Sequence, residues 1–327
     1  MAAKRSNSDA ALLNPATHAS AKTLIGLQQT AQKLRLERRI PASAAMAGNH
    51  ISRFRGRGMD YAESRVYQPG DDSRAMDWRV TARAGKPHTK LYQEERERPV
   101  MLLADFSPSL FFGSRKALKS VIAAQTAALL AWATVSHGDR IGGLLFNGQH
   151  KEIAPRNGQR GALEIIRQLV RYSDPRRGLA NPDGDANDFN EALKRLRRTV
   201  RPGSLVFLIS DFYGVDDDTD RHLRRLNQHN DLVAIQILDP LEQAAPPPGR
   251  YAVTDGRQFG VLDTRSRRVR EQYESWFRER EQRLGELMRR HQIPLLTIRT
   301  TDDPSEKLPT WFGSSRRQSL QARSRAA

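Results

Sequence analysis

Five short apolar runs between residues 98 and 301 alternate with longer stretches in which apolar residues recur every three or four positions. The short runs predict strands at Val100–Phe106, Arg140–Phe146, Ser204–Ser210, Leu232–Leu238 and Pro294–Arg299. The periodic stretches predict helices at Arg115–Ser136, Arg160–Arg171, Phe189–Arg198, Asp220–His229 and Thr264–His291. The strands show little alternation of apolar and polar residues, which is typical of strands covered on both faces. The pattern therefore predicts a doubly wound α/β domain with a mostly parallel sheet.

A basic helix is predicted ahead of this domain, over Ala21–Arg39. Lys and Arg separate its apolar residues, which recur at helical spacing: Leu24, Leu27, Ala31 and Leu34. Such a helix either packs on its own domain or lies on an anionic membrane surface.

The chain is thus predicted to have four regions. Residues 1–20 are expected to be disordered, and residues 21–97 to hold the N-terminal helix and a Gly-punctuated segment of short strands and turns. The α/β domain takes residues 98–301, with a hairpin over Gly249–Asp263 whose turn is Asp255-Gly256. Residues 302–327 are expected to form a basic tail.

The formal net charge of +17 is concentrated at the two ends of the chain. Residues 1–58 carry ten Lys and Arg against two acids, and residues 313–327 carry four Arg and no acid. Such arms are attracted to anionic lipid, RNA or acidic proteins, or they serve only as solvated tails.

The absence of cysteine excludes disulfides and thiolate metal sites and is consistent with a reducing cytosol. The longest apolar stretch, Val121–Val135, contains polar residues and is shorter than the ~20 residues that span a bilayer. We therefore expect a cytoplasmic protein, and a peripheral position at the inner membrane is the alternative.

The candidate chemistry lies where two predicted strands end. Asp105-Phe106-Ser107-Pro108-Ser109 places one carboxylate and two hydroxyls in the loop after the first strand. Asp211 follows the strand at Ser204–Ser210, and a neighbouring parallel strand would bring its carboxylate beside that loop. Hard oxygen donors of this kind suit Mg²⁺. The alternative is that Ser107 caps the following helix while Asp105 accepts hydrogen bonds from backbone amides.

These loops resemble the metal-ion-dependent adhesion site of von Willebrand factor A domains. In those domains Asp-x-Ser-x-Ser, a Thr on a second loop and an Asp on a third loop surround one divalent cation. The resemblance implies that Asp105, Ser107, Ser109 and Asp211 are metal ligands. Asn187 stands in place of the Thr, a departure from the pattern that weakens the metal inference without removing it, because an Asn side-chain carbonyl can ligate Mg²⁺ directly or through water. The expected cofactor is Mg²⁺ or Mn²⁺, with no catalytic residue and no organic cofactor.

A longer pattern lies upstream. Tyr67-Gln68-Pro69-Gly70-Asp71-Asp72 is followed by Arg74, then by Asp77-Trp78 and Thr81-Ala82-Arg83. Over roughly residues 50–300 the chain resembles the bacterial family catalogued as domain of unknown function 58, in which this hallmark precedes a von Willebrand A-like domain. The resemblance implies a partner of MoxR-type AAA+ ATPases in chaperone-like or stress-related assemblies, often at the membrane. It implies no enzymatic activity.

The hallmark segment combines basic and acidic residues within about twenty positions: Arg65, Arg74, Arg79 and Arg83 with Glu63, Asp71, Asp72 and Asp77. Bidentate Arg–carboxylate pairs would hold together a segment that has little apolar core. The alternative is a docking surface for an acidic partner. Trp78 is expected to be a core anchor, with an exposed binding role as its alternative.

Three classes of function compete. The favoured one is a non-enzymatic, metal-dependent protein-binding adaptor, in which the cation keeps one coordination position open for a carboxylate of the partner. The second is a nucleic-acid or anionic-membrane binder that uses the basic ends, although the chain has no aromatic-rich basic platform. The third, a metal hydrolase that uses Asp105, Asp211 and His137, has the least support because the histidines show no ligand spacing and Ser107 has no evident His base.

Overall fold

The computed structural model describes residues 14–36, 59–68, 71, 73–94, 98–179, 188–254 and 259–313. The chain divides into two units, the larger formed by Met1–Glu37 with Arg98–Ala327 and the smaller by Arg38–Glu97. The strands are β1 Met59–Val66, β2 His88–Glu94, β3 Pro99–Asp105, β4 Arg140–Phe146, β5 His150–Arg156, β6 Leu205–Ser210, β7 Asp231–Leu238, β8 Arg250–Thr254, β9 Phe259–Asp263 and β10 Leu295–Arg299. The helices are α1 Ala21–Gly26, α2 Gln28–Ala31, α3 Trp78–Ala84, α4 Lys119–Ser136, α5 Gly158–Tyr172, α6 Pro175–Gly178, α7 Asp188–Thr199, α8 Asp217–Asn227, α9 Pro240–Gln243, α10 Arg267–Arg290 and α11 Pro304–Gly313.

The larger unit is built on one six-stranded sheet with the strand order β10-β7-β6-β3-β4-β5. Five strands run parallel, and β5 pairs antiparallel with β4 at one edge. The chain adds β4 and β5 on one side of β3 and then β6, β7 and β10 on the other. The order therefore reverses between β3 and β6, and doubly wound sheets place their ligands at the carboxyl ends of such strands. The predicted fold class is confirmed.

Helices cover both faces of this sheet. Along β3, Leu102 and Ala104 join the apolar cluster formed with α4 and α5, whereas Met101 and Leu103 join the cluster formed with α7 and α8. Every residue from Val100 to Asp105 is buried, which explains why the strand shows no alternation. Within the described part of the chain, no helix is both long enough and apolar enough to cross a bilayer.

All five predicted strands and all five predicted helices are present in the larger unit, with ends that shift by no more than four residues. The hairpin is also present as β8 and β9, although its predicted turn at Asp255-Gly256 lies outside the described residues. The apolar pattern does not predict β5. This edge strand has a single buried residue, Ile153, so it lacks an apolar run.

The N-terminal helix packs on the α/β unit. Its predicted apolar face is correct, since Leu24, Ala31 and Leu34 are fully buried in the cluster that contains α4, and the Trp132 indole donates to the Leu24 carbonyl at 3.0 Å. Packing on the chain's own domain is thus the alternative that the structure favours. The helix breaks at Leu27 into α1 and α2 and ends at Ala31, so the predicted end at Arg39 is wrong. Residues 32–36, which include Leu34, follow the helix without continuing it, and residues 37–39 lie outside the described range.

Three predicted region boundaries require correction. The N-terminal helix belongs to the α/β unit and not with the hallmark segment. The end of the predicted disordered region is ordered, because Leu118 donates its amide to the Ala16 carbonyl at 2.9 Å and Ala19 is buried. The predicted tail begins too early: Pro304–Gly313 forms α11, whose Leu308 is fully buried. Residues 1–13 and 314–327 lie outside the description.

The smaller unit contains the antiparallel pair β1–β2 and the helix α3. One predicted ion pair is present, between Arg65 and Asp71 at 2.8 Å, while Asp72 lies outside the described residues. Asp77 instead accepts from the Ser64 hydroxyl at 2.7 Å and caps α3 through the amides of Arg79 and Val80. The expectation that Trp78 is a core anchor is wrong, because its side chain is 69% exposed.

Candidate functional site

Asp105 ends β3 with its carboxylate buried and turned into the following loop. Its Oδ1 accepts from the Ser107 amide at 2.8 Å and from the Ser107 hydroxyl at 2.5 Å. Ala104 pairs with Ile209, so the register brings the end of β6 alongside, and the Ser210 hydroxyl donates to Asp105 Oδ2 at 2.6 Å. The Asp105 carboxylate is thus surrounded by neutral donors from two neighbouring strands.

Asp211 follows β6 and is 1% exposed. The next residue, Phe212, has a φ of 55° and is buried, and its amide donates to the Ser210 hydroxyl at 2.9 Å. A bulky residue in the left-handed region is uncommon and strained, and such residues cluster at functional sites. The Ser109 hydroxyl lies close enough to the Asp211 carboxylate to contribute to the lowered pKa of Asp211, so the first loop approaches the second strand end.

A buried lysine joins these carboxylates to a third strand end. Lys119 begins α4 and is fully buried, and its ammonium donates to Asp211 at 2.8 Å and to Glu242 at 2.6 Å. Glu242 lies in α9, just after β7. Lys119 of α4 therefore places one positive charge between the two buried carboxylates of Asp211 and Glu242.

An arginine of α10 also contacts this group of residues. Arg280 is 9% exposed and donates to the Asp211 backbone carbonyl. Its guanidinium carbon lies 3.7 Å from the centroid of the Tyr213 ring, which is a cation–π contact. We call Asp105, Ser107, Ser109, Lys119, Ser210, Asp211, Glu242 and Arg280 the carboxyl-edge cluster.

Asp239 ties the surrounding loops together. It is fully buried at the end of β7, where its carboxylate accepts from the Ser114 hydroxyl at 2.5 Å and the Thr300 hydroxyl at 2.6 Å. It also accepts from the amides of Ser114 and Leu241, both at 2.9 Å. These bonds hold the loop before α4 against the ends of β7 and β10.

The two aspartates of the cluster ionise differently. Burial opposes ionisation of Asp211, but the nearby Lys119 and Arg280 outweigh it and hold the pKa of Asp211 below its ordinary value. Burial and then the Asp211 charge raise the pKa of Asp105 to about 7. Since the described hydrogen-bond partners of Asp105 are uncharged, its negative charge has no direct counter-ion in the cluster.

These residues fit a hard divalent cation. Two carboxylates and two hydroxyls, those of Ser107 and Ser109, come together, and an uncompensated buried carboxylate is one that a cation stabilises. Lys119 already uses one oxygen of Asp211, so a cation would share the other oxygen, Oδ1, which accepts only a 3.2 Å bond from the Tyr213 amide. Among the described residues, no group of three or more His, Asp or Glu side chains is arranged as metal ligands. A cation here would therefore depend on the hydroxyls.

Four of the five predicted metal ligands, namely Asp105, Ser107, Ser109 and Asp211, lie together in the structure. The fifth, Asn187, lies outside the described residues. The predicted capping role of Ser107 is not found: its hydroxyl binds Asp105 and makes no cap hydrogen bond to the Pro108–Phe111 turn. Asp105 accepts a hydrogen bond from the Ser107 amide, so the other part of the alternative to a metal site, a backbone amide bonded to Asp105, is present.

His137, which the hydrolase alternative requires, is placed elsewhere. It follows the last turn of α4, and its Nδ1 lies 2.7 Å from the Ala133 carbonyl oxygen. Arg140 opens β4 just afterwards, so His137 lies at the amino edge of the sheet, opposite Asp105. The structure therefore does not assemble the Asp105–Asp211–His137 set.

Sequence reasoning missed Lys119, Ser210, Glu242 and Arg280. Two signals were available. Lys119 is an isolated cation in the first turn of an otherwise apolar helix, and Asp239-Pro240-Leu241-Glu242 follows a buried strand just as Asp105 and Asp211 do. Ser210 and Arg280 carried no such signal, because one looks like a strand residue and the other is one of many arginines in α10.

Comparison with known proteins identifies relatives across most of the chain. Residues 63–283 match the family described as "Protein of unknown function DUF58". The uncharacterized protein Rv1480 of Mycobacterium tuberculosis is 30% identical over 279 residues, which is 84% of each chain, and the uncharacterized protein Mb1516 of Mycobacterium bovis matches to the same extent.

Two solved structures are similar to this chain in fold. The conserved hypothetical protein BatB from Bacteroides thetaiotaomicron is 12% identical, with a TM-score of 0.42 over 67% of this chain and 99% of that chain. A von Willebrand factor type A protein from Catenulispora acidiphila is 13% identical, with a TM-score of 0.29 over 46% of this chain and 34% of that chain. The family match and the identity to the mycobacterial relatives show that this protein belongs to the domain of unknown function 58 family.

Proposed function

We propose that this protein is a non-enzymatic protein-binding adaptor that docks its partner at the carboxyl-edge cluster. A divalent cation, Mg²⁺ or Mn²⁺, completes the site in this proposal. Asp105, Ser107, Ser109 and Asp211 would hold it, with Asn187 as a further ligand from the second loop. When bound, the cation supplies an open coordination position for a carboxylate of the partner.

The single observation that carries the proposal is the state of Asp105. Its carboxylate is 4% exposed and its described hydrogen-bond partners are neutral, while Lys119 is directed at Asp211 and Glu242. A buried charge is costly unless it is paired or coordinates a metal. A cation between Asp105 and Asp211 removes that cost, and the hydroxyls of Ser107 and Ser109 are already in place.

Two exposed aromatic side chains beside the cluster support protein docking. Tyr213 is 45% exposed and Trp276 is 46% exposed, and their ring centroids are 5.8 Å apart. The Arg280 guanidinium packs on the face of the Tyr213 ring. Tyr, Trp and Arg are the residues that most often carry binding energy at protein interfaces. Tyr213 and Trp276 would form an apolar rim next to the cation.

The partner that we propose is a MoxR-type AAA+ ATPase. The support is family membership, which also favours a protein-interaction or adaptor-type domain. The competing function, binding of nucleic acid or of an anionic membrane, depends on the basic ends. Most of those residues lie outside the described ranges, and the cluster itself offers carboxylates and not a basic surface.

The test is the affinity between the purified chain and a purified MoxR-type ATPase, measured in Mg²⁺ and in EDTA. Because such an ATPase has its own need for Mg²⁺, Asp105→Asn in Mg²⁺ is the decisive comparison, and Asp263→Asn is a matched control on the exposed hairpin. We expect at least tenfold weaker binding in EDTA and for Asp105→Asn, with no change for Asp263→Asn. Equal affinity for all three proteins in Mg²⁺ would contradict the proposal.

A further inference from the structure

A basic cleft lies on the larger unit between β5, α5, α6 and the segment that precedes α1. Its volume is about 570 Å³, which falls within the range of about 300–1,000 Å³ typical of small-molecule sites. The cleft shares no residue with the carboxyl-edge cluster. It is therefore a separate place on the same domain.

Positive charge exceeds negative charge in this cleft. Five Lys and Arg side chains line it, against the single carboxylate of Asp174. Arg176 forms a bidentate pair with that carboxylate, at 3.1 and 3.0 Å, and Arg167 pairs with Glu164 at 2.8 Å. Within the described ranges no ion pair joins Lys151, Arg171 or Arg177 to an acid. Three of the five cations that line the cavity therefore have no acid within ion-pair distance among the described residues, while Lys151 acts on Glu164 at longer range.

Two buried polar atoms of the lining also have no hydrogen-bond partner. Gln168 is 5% exposed, and its Nε2 donates to Glu164 at 3.1 Å while its Oε1 is unpaired. His18 Nδ1 is buried and unpaired as well. Buried polar atoms in folded proteins are usually hydrogen-bonded, so each such exception requires an explanation. A ligand or water in the cleft would supply the missing partners.

We propose that this cleft binds a small ligand that carries at least two phosphate groups and a hydroxyl donor, which is the chemistry of a nucleotide or a phosphorylated sugar. Arginine forks match phosphate oxygens in a bidentate geometry. The unpaired Gln168 Oε1 accepts the ligand's hydroxyl. Val170 is the single apolar side chain among the lining residues, so the cleft offers almost nothing to anchor a peptide through hydrophobic contact.

Calorimetric titration of the full chain in EDTA tests the charge. We expect inorganic triphosphate to bind at least tenfold more tightly than inorganic phosphate. The double variant Arg171→Gln with Arg177→Gln should lose at least tenfold in affinity for triphosphate. Arg268→Gln with Arg278→Gln, which removes the same charge from the exposed side of α10, should bind as the wild type does.

A second comparison tests the proposed contact between a ligand hydroxyl and Gln168. ATP adds ribose hydroxyls to the same phosphates and should bind more tightly than triphosphate, and Gln168→Met should remove that difference. If ATP and triphosphate bind the wild type equally, the hydroxyl contact is wrong.

Three results would overturn the proposal as a whole. The first is the absence of triphosphate binding at millimolar concentration. The second is an equal loss of affinity in the α10 control, which would mean that the chain attracts anions only through its net charge. The third is tighter binding of a glutamate-rich peptide than of triphosphate, which would assign the cleft to an acidic protein. EDTA is present throughout, so none of these results depends on the cation proposed for the carboxyl-edge cluster.

Discussion

The two units of this protein place aspartates at helix starts in very different surroundings. In the α/β unit, Asp239 is fully buried and accepts from two hydroxyls and two amides that belong to three separate segments. In the hallmark unit, Asp77 caps α3 and accepts from one hydroxyl, that of Ser64, beside an exposed Trp78. The first aspartate is held by a packed core, whereas the second, itself buried, caps a helix of which no residue is buried.

This difference shows what positions the candidate site. Apolar residues on both faces of β3 and β6 hold the ends of these strands in place. The polar side chains at the strand ends, such as Asp105 and Asp211, are therefore held in a single arrangement. Among the side chains that the structure describes in the hallmark unit, none is a buried apolar residue, and the contacts are local hydrogen bonds and one Arg–Asp pair. Substitutions in the carboxyl-edge cluster should therefore cost much more stability than substitutions in the hallmark unit.

The largest loss is expected for Lys119→Met. This change leaves Asp211 and Glu242 buried without their shared cation, and breaking a buried pair typically costs about 3–5 kcal/mol. Urea unfolding of wild type and variant measures the difference. Lys307→Met, which removes a partly exposed lysine that lies 3.6 Å from Asp302, is the control and should change little. A free energy of unfolding close to that of the wild type would mean that the cluster is not held by this ion pair.

Asp239→Ala should cause the second-largest loss of stability. Its removal leaves the hydroxyls of Ser114 and Thr300 without their acceptor in a buried place, and unsatisfied buried groups cost about 1–3 kcal/mol. The same unfolding experiment measures this variant. A loss as small as that of an exposed surface change would show that water replaces the carboxylate.

Asp77→Ala should have a smaller and more local effect. The substitution removes the cap of α3 and the bond from Ser64, and no Arg loses a described pairing partner. We expect the amides of Arg79 and Val80 to exchange roughly five- to tenfold faster, with global unfolding almost unchanged. Hydrogen exchange followed by NMR resolves the two amides. A global loss as large as that of Lys119→Met would contradict the comparison between the units.

Trp78→Ala should have the smallest effect. The side chain is 69% exposed, and surface substitutions usually change stability by less than about 0.5 kcal/mol. Thermal unfolding monitored by far-UV circular dichroism is sufficient here. A large drop in the unfolding midpoint would restore the core role that the sequence predicts for Trp78.

Most of the α/β fold could be predicted from the sequence because its strands are covered on both faces and therefore stand out as apolar runs. Segments without that signal were missed or misplaced. The edge strand β5 buries only Ile153, and α11 follows the last strand in a region that looks like a polar tail. In the hallmark segment, residue spacing suggested Arg–Asp pairing for Asp77, but the carboxylate caps α3.

The candidate site was predictable only in part. Asp105, Ser107, Ser109 and Asp211 form a local pattern at strand ends, which single-sequence reasoning can detect. Lys119, Glu242 and Arg280 reach the cluster from three different helices, so their role depends on tertiary packing. Their arrangement changes the chemistry, because Lys119 compensates Asp211 and leaves Asp105 as the carboxylate without a counter-ion.

The most direct test of the central proposal is calorimetric titration of Mn²⁺ and Mg²⁺ into the wild type, Asp105→Asn and the hairpin control Asp263→Asn. The proposal predicts one cation per chain for the wild type and the control, with binding lost in Asp105→Asn while its fold, followed by circular dichroism, is retained. If the wild type shows no binding at millimolar metal, or if Asp105→Asn binds as well as the control, the carboxyl-edge cluster is not a divalent cation site.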